Sequence, residues 1–360
     1  MGVVAKHDRW PAGRSLPRFW PVSAVTLANA RLRPERQARG RTERIVKKIA
    51  LEEHFLVPGF EIYWSTTVGD VDPNTRDKLH ARLGDFGDSR LEAMDRTGIE
   101  RCVLSIAGPG VQAEPQVDVA DRKAREANDI LAREIQRRPN RYSGFAQLAM
   151  QDPIAAANEL ERATRELGFC GAMINGHTHG RYLDDPCYDP FWERAEELNV
   201  PIYLHPADPP VPYAALAGHN ALTRATWGWG VETGSHALRL IFHGTFDRFP
   251  KAKLLLGHLG ETLPFLLWRF DSRAKLYGVR LAKRPSDYIR ENIAVTLSGM
   301  FAADPLLCTL NALGRRQVMF SADYPFESVD EAAEFIDNVA LDDDVREDIC
   351  FGNAQRLLRL

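Results

Sequence analysis

Six residues of this 360-residue chain could together do metal chemistry. Glu52 and His54 form an E-x-H triplet, Glu52-Glu53-His54, within the apolar run Lys48–Phe55. On an extended strand, side chains alternate between faces, so Glu52 and His54 share a face and Glu53 takes the other. Two ligands from one strand grip one ion without distorting the backbone. His205, in Tyr203-Leu204-His205-Pro206, offers a neutral imidazole. Asp323, in Phe320-Ser321-Ala322-Asp323-Tyr324-Pro325, offers a carboxylate behind an apolar run. Alone, the histidine reads as a core residue and the aspartate as a helix cap. Jointly, Glu52, His54, His205 and Asp323 supply two imidazoles and two carboxylates. That set suits one Zn2+ or Mn2+ ion and lacks the thiolates of a structural zinc site.

His258 and Glu261, in Gly257-His258-Leu259-Gly260-Glu261, are spaced so that the carboxylate can orient or charge-balance the imidazole. They read as an acid–base or substrate-binding pair beside the metal. The His177-x-His179 pair lies between Gly176 and Gly180 and reads as a pocket-lining or solvated loop. His236 and His243 are seven apart on a predicted helix and read as packing residues. His80 and His219 are expected in long loops.

The elements that must position these groups repeat along the chain. Short β-rich runs alternate with longer helical stretches, the pattern of parallel βαβ units. The strands are expected at Lys48–Phe55, Glu100–Ala107, Tyr142–Ala149, Gly171–Gly176, Pro201–Pro206, Lys253–Gly260, Ile293–Gly299 and Gln317–Tyr324. Helices are expected at Ala120–Arg138, Pro153–Leu167, Pro190–Leu198 and Glu232–Phe249. Eight parallel strands predict a closed α/β barrel of the (β/α)8 type, whose chemistry sits at the C-terminal mouth. A doubly wound open sheet is the alternative, but no G-x-G-x-x-G follows any strand. Glu52 and His54 fall at the end of the first strand, Asn175 of the fourth, His205 of the fifth, His258 of the sixth and Asp323 of the eighth. Tyr63, Trp64, Phe86, Tyr213, Trp227 and Trp229 fall in insertions after strands one and five. They are expected to form a lid over a flat apolar substrate or an interface between subunits.

The net charge of −3 conceals an asymmetry. Residues 1–48 hold twelve Lys/Arg and three acids, which leaves a net −12 on the remainder. An acidic body excludes a basic nucleic-acid face. No run approaches the ~18 apolar residues of a membrane span. Five scattered cysteines without a C-x-x-C pair fit a reducing cytosol and predict a cytoplasmic protein. Residues 1–46 read as a basic, disordered extension or a mis-assigned start, and 47–360 as the barrel domain.

Residues 47–360 resemble the amidohydrolase superfamily. The resemblance rests on Lys48-Ile49-Ala50-Leu51-Glu52-Glu53-His54-Phe55, Tyr203-Leu204-His205-Pro206, Gly257-His258-Leu259-Gly260-Glu261 and Ser321-Ala322-Asp323-Tyr324-Pro325-Phe326. More narrowly, these motifs are similar to the non-oxidative hydroxybenzoate decarboxylases of the γ-resorcylate and 2,3-dihydroxybenzoate type. The resemblance implies a distorted TIM barrel, a homotetramer, one divalent ion and a small aromatic acid as substrate. It implies Glu52, His54, His205 and Asp323 as metal ligands, with His258 and Glu261 assisting and Phe326 lining the ring pocket. Arg269 would touch substrate or a subunit interface. Asp323 would protonate the ring carbon that bears the carboxylate, and CO2 would leave. A lactone or amide hydrolase on the same scaffold is the second reading. Hydrolytic relatives open with H-x-H where this chain has Glu52-x-His54, which favours decarboxylation. A barrel serving as a non-catalytic binding protein is the third.

Overall fold

The computed structural model describes residues 46–360; apart from Val46, the expected N-terminal extension lies outside them. Eight parallel strands are present: β1 (Lys48–Phe55), β2 (Ile99–Ile106), β3 (Tyr142–Gly144), β4 (Ala172–Asn175), β5 (Ile202–His205), β6 (Leu254–Leu256), β7 (Ile293–Thr296) and β8 (Val318–Met319). They run in sequence order, as β1-β2-β3 and β4-β5-β6-β7-β8. Single parallel bridges, Ala146 to Ala172 and Glu53 to Tyr324, lie at the two seams. The architecture is a distorted (β/α)8 barrel whose hydrogen-bonded ladder is interrupted at both seams.

Most strands are shorter than the apolar runs suggested. Except in β1, which keeps its full run, the last residues leave the ladder. At β8 the cause is specific: the amides of Ala322 and Tyr324, which would extend the strand, donate to the Glu53 carboxylate at 2.9 and 3.2 Å. At β6 the run ends at Gly257, and His258–Glu261 form a tight turn instead of strand.

The barrel interior is filled by Ile49, Leu51, Val103, Phe145, Met173, Tyr203, Leu255, Ala294 and Met319. The outer strand faces pack under the helices in a second, larger cluster that includes Phe55, Leu131, Trp192 and Ile241. One irregularity matters for function. The β1–β2 register slips between Ala50 and Glu53, where β1 carries an extra residue. Such a bulge re-aims side chains. Leu51 stays in the interior cluster, yet Glu52 and His54 also turn inward, and Glu53 faces the helical layer.

The helices follow their caps. Asp152 accepts from the amides of Ile154 and Ala155 at 3.0 and 3.1 Å, which starts Pro153–Arg165. The long helix before β3 begins at Val117 and ends at Arg137. The helix expected over Glu232–Phe249 is two: Gly228–Phe242 and Thr245–Arg248, broken where Gly244 takes a left-handed φ of 72°. His80 lies on the helix Pro73–Leu83 and not in a loop. No helix among the described residues is long and apolar enough to cross a membrane.

Candidate metal centre and active site

The structure brings Glu52, His54, His205 and Asp323 to one point, with one ligand atom from each within 4.8 Å of all the others. That spread is close to the span of two ~2.2 Å metal–ligand bonds on opposite sides of one ion. His54 Nε2 lies 3.2 Å from Asp323 Oδ1, and His205 Nε2 lies 3.5 Å from Glu52 Oε1. The rings of His54 and His205 meet edge to face, 4.8 Å between centroids.

Each group is fixed from behind. Tyr203, two residues before His205 and on the same face of β5, donates to Glu52 Oε2 and shares a 2.8 Å hydrogen bond with Thr296 Oγ1. Ser105, opposite His54 in the β1–β2 register, lies 3.3 Å from His54 Nδ1. His205 Nδ1 meets the Pro206 carbonyl at 2.9 Å, which makes that nitrogen the donor and leaves Nε2 with its lone pair.

Three atoms here are buried without any hydrogen-bond partner: Glu52 Oε1, His54 Nε2 and Asp323 Oδ1. A buried acceptor with nothing to accept from is costly. A cation shared among the three removes that cost, so the donor set fits a divalent ion. The electrostatics agree. Burial pushes both imidazoles down, His54 to about 4 and His205 to about 3, so both are neutral at neutral pH, the form that can bind a metal ion. Burial works to raise Glu52, but His258, His205 and His54 outweigh it and hold this carboxylate below its usual value. Burial and the Glu52 charge hold Asp323 well above the carboxylate range.

His258 and Glu261 sit beside this centre. His258 Nδ1 is 2.7 Å from Glu261 Oε1. Burial opposes the imidazolium, yet the Glu261 charge and hydrogen bond prevail and raise it to about 10. Phe326 is 37% exposed, and its ring centroid lies 5.5 Å from that of His54, so its face borders the mouth. Backbone strain concentrates here: His258, Leu259, Glu261, Thr262 and Asp323 all have positive φ.

Other candidates go elsewhere. His177 uses both ring nitrogens, on the Asp208 carbonyl and the Gly180 amide at 3.1 Å each, and His179 is exposed. Neither joins the cluster. His236 is buried and accepts from the Leu183 amide at 2.9 Å, whereas His243 pairs with Asp184 at 3.0 Å near the surface. Tyr63 and Trp64 are buried in the core and are not lid residues. Arg269 is exposed. Sequence reasoning passed over Tyr203, although its spacing from His205 placed it on the same face. It had no signal for Ser105, Thr296 or Arg90.

The barrel and its two-imidazole, two-carboxylate centre define an enzyme scaffold built around one divalent cation. The chain matches the amidohydrolase family over residues 51–360. It is 43% identical over 327 residues to the γ-resorcylate decarboxylase of Rhodococcus jostii, across 87% of this chain and 98% of that protein. The crystal structure of a 2,6-dihydroxybenzoate decarboxylase complexed with 2,6-dihydroxybenzoate superposes with a TM-score of 0.84 at 39% identity, covering 88% of this chain and 100% of that one. A dihydroxybenzoic acid decarboxylase from Polaromonas sp., with bound manganese and the inhibitor 2-nitroresorcinol, gives a TM-score of 0.83 at 41% identity, covering 88% and 97%. The chain belongs to the amidohydrolase family.

Proposed function

We propose that this chain is a carboxy-lyase that removes CO2 from an ortho-hydroxybenzoate, with no oxidant and no organic cofactor. The observation that carries this reading is the cluster of orphaned donors on Glu52, His54 and Asp323, beside His205 and under Phe326. A bound divalent ion supplies a Lewis acid and a template for the carboxylate and its neighbouring hydroxyl oxygen. Glu52, His54, His205 and Asp323 hold it, as Zn2+ or Mn2+; manganese is the ion in the Polaromonas relative.

The difficult step is protonation of the ring carbon that bears the carboxylate, because it breaks aromaticity. Asp323 gives that proton as general acid. Burial beside Glu52 pushes it toward the protonated form; a cation on Oδ1 pulls the other way. His258, kept positive by Glu261, hydrogen-bonds the ring oxygen, which has carbonyl character once the carbon is protonated, and stabilises the electron density that returns to it as CO2 leaves. The carbon–carbon bond then breaks, its electrons restore the aromatic ring, and CO2 leaves. Asp323, now a carboxylate, regains a proton from solvent. Phe326 packs against the flat ring.

The first substrate to test is 2,6-dihydroxybenzoate, followed by the 2,3-isomer. The protein acts in the cytoplasm as a homotetramer. Five free cysteines support the first point. The second is supported by large apolar side chains left in solvent: Phe265, Trp268 and Tyr277 are each at least three-quarters exposed.

The test is a panel of ortho-hydroxybenzoates with metal supplied, followed by loss of ultraviolet absorbance and by released CO2. Asp323→Asn is assayed alongside, with metal content measured. Full turnover by Asp323→Asn would end the proposed role. Cleavage of lactones or amides without CO2 release would move the chain to the hydrolases.

A further inference from the structure

We infer that Glu53, the middle residue of the Glu52-Glu53-His54 triplet, is a positioning residue that fixes Asp323 from the far side of β1; this rests on the reading of Asp323 as a metal ligand. Glu53 is 1% exposed and faces away from the four ligand atoms. Its carboxylate is used fully on one segment. Oε1 accepts from Ser321 Oγ at 3.0 Å and from the Ala322 amide at 2.9 Å, and Oε2 accepts from the Tyr324 amide at 3.2 Å. Those donors flank Asp323 on both sides.

The segment needs such a hold. Strand β8 ends at Met319, so its ladder stops before Asp323. Asp323 itself has φ 71°, a backbone that a non-glycine residue keeps only where its surroundings enforce it. Two further contacts tie the same elements. The His54 amide donates to the Tyr324 carbonyl at 2.7 Å, and the Glu52 amide donates to Ser321 Oγ at 2.7 Å. Ser321 thus links the backbone of one ligand to the carboxylate that holds another.

Arg90 is the second arm. It is 2% exposed. Its Nη2 donates to the His54 carbonyl at 2.7 Å, and its guanidinium lies 4.5 Å over the Tyr324 ring. Arg90 holds His54 by its backbone carbonyl, and Glu53 holds Asp323 through the residues on either side of it. A one-residue change in Glu53 therefore moves a ligand that it never touches.

Glu53→Gln tests this in the full-length protein. The shape is kept, but the amide NH2 cannot accept, so one of the three donors faces another donor. Folding is checked by circular dichroism, and all readings are taken well below the melting temperature. Mn2+ affinity should weaken by ~10–100-fold, the usual effect of losing a partner that orients metal ligands. The electron paramagnetic resonance spectrum of bound Mn2+ should change. With Mn2+ saturating, kcat should fall more than KM changes. A variant that melts earlier but keeps wild-type Mn2+ affinity, spectrum and kcat would overturn the proposal and leave Glu53 a structural residue. If Glu53→Gln does not fold, Ser321→Ala removes one donor of the three. It should weaken Mn2+ binding in the same direction by less, and wild-type affinity there also overturns the proposal. Wild-type protein and Asp323→Asn are titrated in parallel. If wild type takes no Mn2+, or Asp323→Asn binds it as tightly, the ligand reading falls and this inference with it. If both behave as expected while Glu53→Gln binds like wild type, the positioning role alone is lost.

Discussion

His258 Nδ1 stands 2.7 Å from Glu261 Oε1, three residues further along a turn in which both residues have positive φ. The pair is what keeps a partly buried imidazole charged. With Glu261 present the folded value rises from 6.5 to about 10. A raised histidine stabilises the fold fully below the unfolded value, and that share is lost as pH rises through about 10. Removing the carboxylate takes away both its charge and its hydrogen bond, and leaves burial opposed only by Glu52 and Asp323. Glu261→Gln should therefore lower the His258 value toward neutrality and cut kcat by ~10²-fold or more. The alkaline limb of the kcat–pH profile should move down toward neutrality. An unshifted profile would show that the charge on His258 plays no part.

Gly257 offers a steric test of the metal centre. Its φ of −72° suits any residue, so alanine brings no backbone strain. A Cβ there would lie 2.7 Å from Glu52 Oε2 and 3.3 Å from the Tyr203 hydroxyl. Gly257→Ala should push Glu52 off Tyr203, weaken metal binding by ~10-fold or more, and destabilise by ~1–3 kcal/mol, as overpacking does. Metal titration and a urea midpoint measure both. Unchanged affinity would mean that Glu52 is free to relax.

The strands were legible because each carries a short apolar run, and the four clustered residues because polar side chains close those runs. The strand period put Glu52 and His54 on one face, and the structure agrees over those three residues. The same period run back from Glu53 would place Leu51 outside the barrel. It lies inside, because β1 carries a bulge between Ala50 and Glu53. A bulge leaves no mark in hydrophobic alternation. Strand ends were overextended for a related reason. An apolar run does not reveal that the Ala322 and Tyr324 amides have been captured by a glutamate almost 270 residues earlier. Partners brought in from distant sequence, such as Thr296 and Arg90, had no local signature.

The orphaned oxygen and nitrogen atoms at the centre predict a linkage between metal and stability. An ion that binds only the folded chain stabilises it by about 2.7 kcal/mol at ~100 times its Kd. For a barrel of this size that corresponds to a rise in Tm of roughly 4 °C. Calorimetry of the chelated protein with increasing Mn2+ should show that rise, and Asp323→Asn should blunt it. Equal melting of chelated and Mn2+-saturated wild type would count against a metal centre.

The insertions after β1 and β5 leave from the barrel mouth, where Phe55 and His205 end their strands. Arg224 joins them. It donates to the Thr67 carbonyl at 2.6 Å and the Thr66 carbonyl at 3.1 Å, and reaches Asp208 Oδ1 at 3.3 Å. Asp208 Oδ1 also accepts from Trp229 Nε1 at 2.6 Å, and Tyr213 donates to Glu232 at 2.7 Å. Around these ties the insertion after β5 is mostly exposed, with Val211 at 73%, so little apolar burial holds it, whereas the one after β1 is anchored by buried Phe60, Tyr63, Trp64 and Val68. Order in the β5 insertion therefore depends on a few polar contacts, most of them made by one side chain. Arg224→Ala should release the β5 insertion from the one after β1 and raise KM several-fold, because substrate binding must then order it. The chemistry below is untouched, so kcat should change by less, and the melting temperature, set by the barrel, should move little. Steady-state kinetics on 2,6-dihydroxybenzoate would measure the split. A lower kcat with KM unchanged would instead place Arg224 in the support of the catalytic centre.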